Sequence, residues 1–251
     1  MYEIVAAIVG RATRHHCTLF HLSPRHDELE LVYPFWILRR GAEVTLVDTG
    51  FALEVGAARG IYDYRDPSAA LAALGIAPGE VGRIILSHLH YDHFGVPERY
   101  PNARFVVQYD DVAYFAGTGR AQAYGKLADP ASIDAIDGLR AAGRLELVDG
   151  DRTLEPGLSV VRVGGHTPGS QVIAIDHGSR PLVLACDASH FYANEATRTP
   201  SSMIYHYEEY QRGFATIARL AAGGRWFPGH DPAMLDGLAP LGEGLYRCEA
   251  T

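Results

Sequence analysis

The sequence predicts an α/β fold of four layers, an αβ/βα sandwich in which two mixed β-sheets pack face to face with helices outside. Two observations lead there. Each half of the chain opens with hairpin-like strands and ends in strands alternating with helices, and that order stacks two sheets between two helical layers. No Pro/Gly/Ser linker separates the halves, so residues 1–251 are expected to form a single domain. At 251 residues, 47% hydrophobic and 21% charged, the chain can bury a substantial core and has the composition of a globular protein.

The elements follow from periodicity and punctuation. Residues Tyr33–Leu38 and Glu43–Asp48 flank Arg39-Arg40-Gly41-Ala42 and read as a β-hairpin. Further strands are expected at Arg83–Ser87, Arg104–Gln108, Leu145–Val148, Leu158–Val163, Gln171–Asp176, Leu182–Cys186 and Arg225–Phe227. Helical spacing appears over Pro67–Leu74, Asp110–Phe115, Pro130–Ala142 and Tyr207–Ala222. Three stretches lack periodicity: Gly10–Leu31, Phe51–Asp66 and Ser189–His206. The last two are rich in Tyr and Phe and each follows a strand ending in Asp, which suits lids or binding loops. Gly10–Leu31 reads equally well as an ordinary surface loop.

Charge and composition exclude several functions. The net charge is −8 and no Lys/Arg cluster interrupts it, so a phosphate-backbone ligand, and hence nucleic acid, is not expected. No run of 18 apolar residues would span a membrane. The start, MYEIVAAIVGRATRHH, puts its apolar stretch before its basic residues, the reverse of a secretory signal, and a cytoplasmic location is expected. Cys17, Cys186 and Cys248 form no CxxC pair and fit reduced thiols, with Cys186 a small buried hydrophobe.

Chemistry concentrates in Ser87-His88-Leu89-His90-Tyr91-Asp92-His93-Phe94-Gly95, directly after the apolar run Ile84-Ile85-Leu86. In extended chain His88 and His90 point the same way. If the chain then turns into a helix, Asp92 and His93 move to an adjacent side, so one segment presents two pairs of ligands. Imidazole with carboxylate and no thiolate suits Zn, Mn, Fe or Co. Three more buried strands end in acid or imidazole: at His166 in Gly164–Gly169, at Asp187 after Leu182–Cys186, and at His230 after Trp226–Gly229. The set reaches seven ligands, enough for two zincs.

These motifs are similar to those of the metallo-β-lactamase fold superfamily, and within it the sequence most resembles the N-acyl-homoserine lactonases. The resemblance runs from about Tyr33 to Asp231 and rests on DTG at 48–50, SHLHYDHFG at 87–95, GHTPGS at 165–170, CDAS at 186–189 and PGHD at 228–231. It implies that His88, His90 and His166 hold one metal, that Asp92, His93 and His230 hold the other, and that Asp187 bridges them. Asp48 would sit beneath, orienting a ligand histidine. The implied cofactors are two Zn(II) ions, with Mn, Fe or Co as alternatives. The implied reaction is attack of a metal-bridging hydroxide on a lactone carbonyl. Asp92 would also relay a proton to the leaving oxygen.

There is one departure. Lactonases of this group carry a Tyr three positions after the bridging Asp, contacting the substrate carbonyl, and this chain has His190. A neutral imidazole N–H could donate the same hydrogen bond, a protonated one could serve as general acid, and Tyr192 is the other candidate. The alternative reaction is hydrolysis of another small ester or a thioester, as in glyoxalase II, whose glutathione-binding helical domain would not fit in the residues after His230. A scaffold that retains the fold would have lost ligands, and a mononuclear iron oxygenase would bind one iron and consume oxygen. The substrate is expected to be a small molecule, neutral and partly apolar. Tyr62, Tyr64, Phe191, Tyr192, Tyr205 and Tyr207 are candidates to line its pocket, and Arg198 and the His206 region to bind a polar group. Oligomeric state is not legible.

Overall fold

A computed structural model describes residues 1–249. Thirteen strands form two mixed sheets. The first five strands are β1 (Glu3–His15), β2 (Glu28–Arg40), β3 (Glu43–Val47), β4 (Val81–Ile85) and β5 (Arg104–Gln108). They continue with β6 (Leu145–Val148), β7 (Arg152–Glu155), β8 (Leu158–Arg162), β9 (Gln171–His177), β10 (Arg180–Cys186), β11 (Arg225–Pro228), β12 (Ala239–Gly242) and β13 (Leu245–Cys248). One sheet has the order β12-β13-β1-β2-β3-β4-β5-β6 and the other β11-β10-β9-β8-β7. The helices are α1 (His16–Leu19), α2 (Leu53–Ala57), α3 (Pro67–Ala73), α4 (Tyr109–Ala113), α5 (Pro130–Ala141), α6 (Tyr192–Thr197) and α7 (Tyr207–Leu220).

Three apolar layers account for the four-layer stack. Successive strand residues face opposite sides, so in β1 Val5, Ala7 and Val9 face one cluster while Ile4, Ala6 and Ile8 face another. The first cluster takes Leu71 of α3, Val112 of α4 and Ile133, Ile136 and Leu139 of α5. The second lies between the sheets, where Trp36, Leu38 and Ile85 meet Leu158, Ile173, Leu184 and Phe227. The third packs Tyr210, Phe214 and Ile217 of α7 on Val172 and Val183 of the smaller sheet. Those three α7 residues recur at helical spacing, and each is worth about 1.5–3 kcal/mol of burial. Asp66 and Asp129 cap α3 and α5, accepting from Ser68 N at 2.8 Å and Ser132 N at 2.9 Å.

The expected hairpin is β2–β3, and every other expected strand lies within two residues of its place. Four strands were not expected: β1, β7, β12 and β13. β1 is apolar on both faces over Ile4–Val9, and a doubly buried strand shows no alternation. β12 and β13 return to the first sheet beside β1, so the sheets do not divide the chain into two consecutive halves. The aperiodic stretches also contain structure: Gly10–His15 is the end of β1, and α2 and α6 lie inside the other two. Residues 88–93 form a tight turn, with His93 N and Phe94 N donating to His90 O, rather than a helix start.

Candidate metal centre

The site gathers at the C-terminal ends of β3, β4, β8, β10 and β11, where five loops meet along one edge of the two sheets. Two non-glycine residues there take left-handed backbone, Asp48 (φ 66°) and Cys186 (φ 46°), a conformation costing about 1–2 kcal/mol each. Gly229 is required by proximity: a Cβ there would stand 2.3 Å from Asp187 Oδ1.

All seven predicted ligands are brought together and buried, none more than 8% exposed. They fall into two sets. His88 Nε2 and His166 Nε2 each lie 3.0 Å from His90 Nδ1. Asp92 Oδ2 lies 3.4 Å from His93 Nε2 and 3.6 Å from His230 Nε2. Asp187 stands between the sets and faces both. Oδ2 is 3.2 Å from His166 Nε2 and 3.8 Å from His88 Nε2, Oδ1 is 3.4 Å from His93 Nε2, and His230 Nε2 lies 3.1 Å from Oδ1 and 3.3 Å from Oδ2.

The outer nitrogens explain why the inner ones converge. His166 Nδ1 donates to Met203 O at 3.1 Å and His230 Nδ1 to Val32 O at 2.9 Å. His93 Nδ1 donates to Asp48 Oδ2 at 2.7 Å, and Ser87 Oγ lies 3.0 Å from His88 Nδ1. Asp48 is itself held by Ser87 N and Oγ at 2.7 and 2.9 Å. Each such bond fixes the tautomer and turns Nε2 inward. Asp48→Asn is therefore expected to weaken metal affinity about 10–100-fold, read by competition against a chelator.

These residues fit divalent cations. His93 Nε2 and Asp187 Oδ1, both facing the cluster, are buried with no hydrogen-bond partner, an arrangement native cores avoid unless something else occupies the site. Tetrahedral ligands about 2.0–2.1 Å from zinc stand about 3.3 Å apart, close to the separations within each set. Electrostatics agree for the first set. Burial and then the neighbouring imidazoles push His88 and His90 well below the usual histidine range, keeping both neutral. In the second set, burial would lower His93 and His230, but the neighbouring carboxylates outweigh it and raise both, so a cation there would displace protons. Burial would push Asp187 up, but the imidazoles of His230, His190 and His93 outweigh it and hold it well below the carboxylate range.

His190 is fully buried beside this cluster rather than facing solvent. Its Nε2 lies 2.9 Å from Asp187 Oδ2 but is poorly aligned, and both ring nitrogens lack a formed hydrogen bond. Burial pushes it down to about 4, which favours the neutral imidazole over the protonated general acid. Tyr192 is elsewhere: its hydroxyl donates to Trp226 O at 3.1 Å and its ring packs on Trp226. It is committed to the core between the sheets.

A cavity of about 640 Å³ opens over the cluster. Its wall corrects the sequence reading. None of Tyr62, Tyr64, Phe191, Tyr192, Tyr205 or Tyr207 lines it, and neither Arg198 nor His206 does. Tyr62 reaches Glu30, Tyr64 donates to Phe51 O, and Phe191 packs on Phe20. Tyr205 stacks edge-on with Tyr114, Tyr207 lies against His21, and His206 caps α7. The wall comes instead from Gly10–Leu31, through Arg14, Cys17, Thr18, Leu19 and Leu31, joined by Tyr33, Arg59, Tyr91, Leu127, Ser202 and Met203. Sequence reasoning also missed Asp111. It is fully buried, and its carboxylate accepts from Leu89 N at 3.0 Å and Gly169 N at 2.6 Å, tying together the two loops that carry His88, His90 and His166.

Fold and ligand set together define a class: the chain belongs to the metallo-β-lactamase superfamily, whose sequence profile matches residues 32–235. More particularly, it is 30% identical over 190 residues to N-acyl homoserine lactonase AttM of Agrobacterium fabrum, covering 65% of this chain and 67% of that one. It is 29% identical over 233 residues to the AttM of Azorhizobium caulinodans, with 82% and 84% covered. Among solved structures it superimposes on an N-acyl homoserine lactone hydrolase with N-hexanoyl-L-homoserine bound at the catalytic metal centre. The TM-score there is 0.79 at 20% identity, over 97% of this chain and 98% of that one. The dizinc quorum-quenching lactonase AidC gives 0.76 at 16%, over 100% and 95%. At such identities the structural likeness bears on the fold alone.

Proposed function

We propose that this protein opens the ring of a lactone, an N-acyl-homoserine lactone or a related small lactone, and so acts as a quorum-quenching enzyme. The coarser statement stands on the family, the ligand set and the relatives: this is a metal-dependent hydrolase acting on ester bonds. The observation that carries the dinuclear reading is the place of Asp187 between the two sets, its carboxylate within 3.8 Å of His88 and His166 on one side and of His93 and His230 on the other. His88, His90 and His166 would hold one cation and Asp92, His93 and His230 the second, with Asp187 between them. Two Zn(II) ions held there would supply Lewis acidity and activate water near neutral pH. Residues 1–251 act as one domain, since the inter-sheet core draws on both halves.

The protein groups then have defined tasks. Asp92, 3.4 Å from His93 and 3.6 Å from His230, would as an ionised ligand also take a proton and pass it to the departing alkoxide. His190, neutral and without a formed hydrogen bond, has an N–H free for the carbonyl oxygen as negative charge develops there. His190→Ala is expected to lower kcat about 10²–10³-fold with both metals retained. Because His190 is already neutral, wild type and variant should give pH–rate profiles of the same shape above pH ~5. Metal content that falls in the variant would make His190 a ligand instead, a role its place beside Asp187 and His230 would also allow.

The substrate is a small molecule, and neither nucleic acid nor a membrane is a partner in this reading. Among the described residues no helix is long and apolar enough to cross a membrane. The deciding experiment follows proton release by zinc-loaded protein on acyl-homoserine lactones of several lengths, simple and aromatic lactones, a glutathione thioester and a phosphodiester. Rapid turnover of lactones alone supports the proposal. Turnover of the thioester alone would move the reaction to the glyoxalase II kind.

A further inference from the structure

Two arginines on the cavity wall have no acid to pair with. Arg14, on β1, and Arg59, just after α2, are half-buried and line the cavity. Among the described residues neither has a carboxylate within salt-bridge distance, although the chain carries 30 Asp and Glu against 22 Lys and Arg. Neighbours orient them without neutralising them. Arg14 donates Nη1 to Thr13 O at 2.8 Å and Nη2 to Arg59 O. Arg59 donates Nη1 to Val55 O at 3.2 Å, and its guanidinium lies over the Tyr91 ring at 3.9 Å. A guanidinium has five N–H donors, so both keep donors to spare. The segments that bear them are joined by Arg11 N to Tyr62 O and Tyr62 N to Arg11 O, at 2.9 and 2.8 Å.

Among the described residues the only acids on the cavity wall are Asp92 and Asp187, both within the metal cluster. Between cluster and arginines stand Tyr33, whose ring is 5.0 Å from that of His230, and Tyr91, which adjoins Asp92 and carries Arg59 on its face. The cavity thus has two electropositive places when metals are bound, separated by aromatic and aliphatic surface from Tyr33, Tyr91, Leu19 and Leu31. A wholly apolar arm would desolvate two cations and give them nothing in return. We propose that the substrate carries a carboxylate on the arm remote from its scissile ester, and that Arg14 and Arg59 bind it. The inference rests on the site being that of an ester hydrolase. It replaces the neutral substrate expected from sequence with an anionic one, and among the proposed lactones it selects a related lactone whose arm ends in a carboxylate over a neutral N-acyl-homoserine lactone.

Calorimetry on the zinc-loaded protein tests it, using linear α,ω-dicarboxylates from succinate to suberate against monocarboxylates of the same lengths. One carboxylate can engage the metals in both series, and only the dicarboxylates offer a second. At the length that spans the cavity the dicarboxylate should bind about tenfold tighter or more, the range of a charge-assisted hydrogen bond. The double variant Arg14→Gln/Arg59→Gln should lose that margin, and Arg59→Lys should keep part of it. Melting temperature and metal content establish that each variant is folded and loaded. Equal binding of both series at every length in wild type overturns the proposal, as does a margin that survives in the double variant. Loss of lactone turnover in the panel above with the margin intact would remove the lactone reading and leave this one. Lactone turnover with no margin would do the reverse.

Discussion

Asp187→Ala is expected to lower kcat/KM by at least about 10³-fold, some 4 kcal/mol of transition-state stabilisation, and to reduce bound zinc from two per chain to one or none. The reason is geometric. Every imidazole nitrogen facing the cluster from His88, His166, His93 and His230 lies within 3.8 Å of one or other Asp187 oxygen. Among the described residues no other carboxylate touches both sets. Removing it leaves each set one ligand short and takes away the negative charge that offsets two adjacent cations. Asp187→Asn keeps the shape and one carbonyl oxygen, so it should retain more metal than alanine while losing most activity. Elemental analysis of dialysed protein, read beside kcat/KM, separates the two effects. Two zincs and wild-type turnover in the alanine variant would end the reading of Asp187 as the bridging ligand, and one zinc per chain in fully active wild type would end the dinuclear reading.

What the sequence disclosed of this site, and what it withheld, has a physical basis. Each ligand side chain is the polar residue that ends an apolar strand, and a polar group closing a buried run is conspicuous in one dimension. His88 to His93 sit within six consecutive positions, and Asp187 and His230 stand directly after β10 and at the end of β11. The cavity wall had no such signature. Its residues come from α1 and the adjoining parts of β1 and β2, from the turn after α2 and from the segment around Met203, and only the fold makes them neighbours. The exposed and half-buried tyrosines were misleading for the same reason. An aromatic residue in a loop has many possible partners, and Tyr205 found Tyr114 while Tyr192 found Trp226. β1 was hidden by its double burial, since a strand with apolar neighbours on both faces loses the period-two signal that reveals a half-buried one.

Asp111 shows the same limit and supports a second large prediction. In sequence it is one of two acids at the start of α4, ordinary for a helix N-terminus. In the fold it is completely buried and holds the Leu89 and Gly169 amides, so it fixes the spacing of His88 and His90 relative to His166. Asp111→Ala would leave both amides buried and unpartnered at about 1–3 kcal/mol each, and unfolding in denaturant should show a loss of about 3–5 kcal/mol. Asp111→Asn keeps one acceptor oxygen and should lose roughly half as much. The pH dependence distinguishes a buried carboxyl from mere packing. Burial pushes Asp111 up from 3.8 to about 6 despite its amide donors. The folded state therefore holds the proton more tightly than the unfolded one. Between those two values the native protein binds more protons, and stability from this group falls as pH rises, levelling off above about 6. Comparing metal-free wild type with Asp111→Asn cancels the shared ligand cluster and isolates this effect. Wild type should lose on the order of 3 kcal/mol relative to the variant across that window. A difference that does not change with pH would mean that the amides hold Asp111 ionised throughout, and its value to the site would then lie in charge as well as in shape.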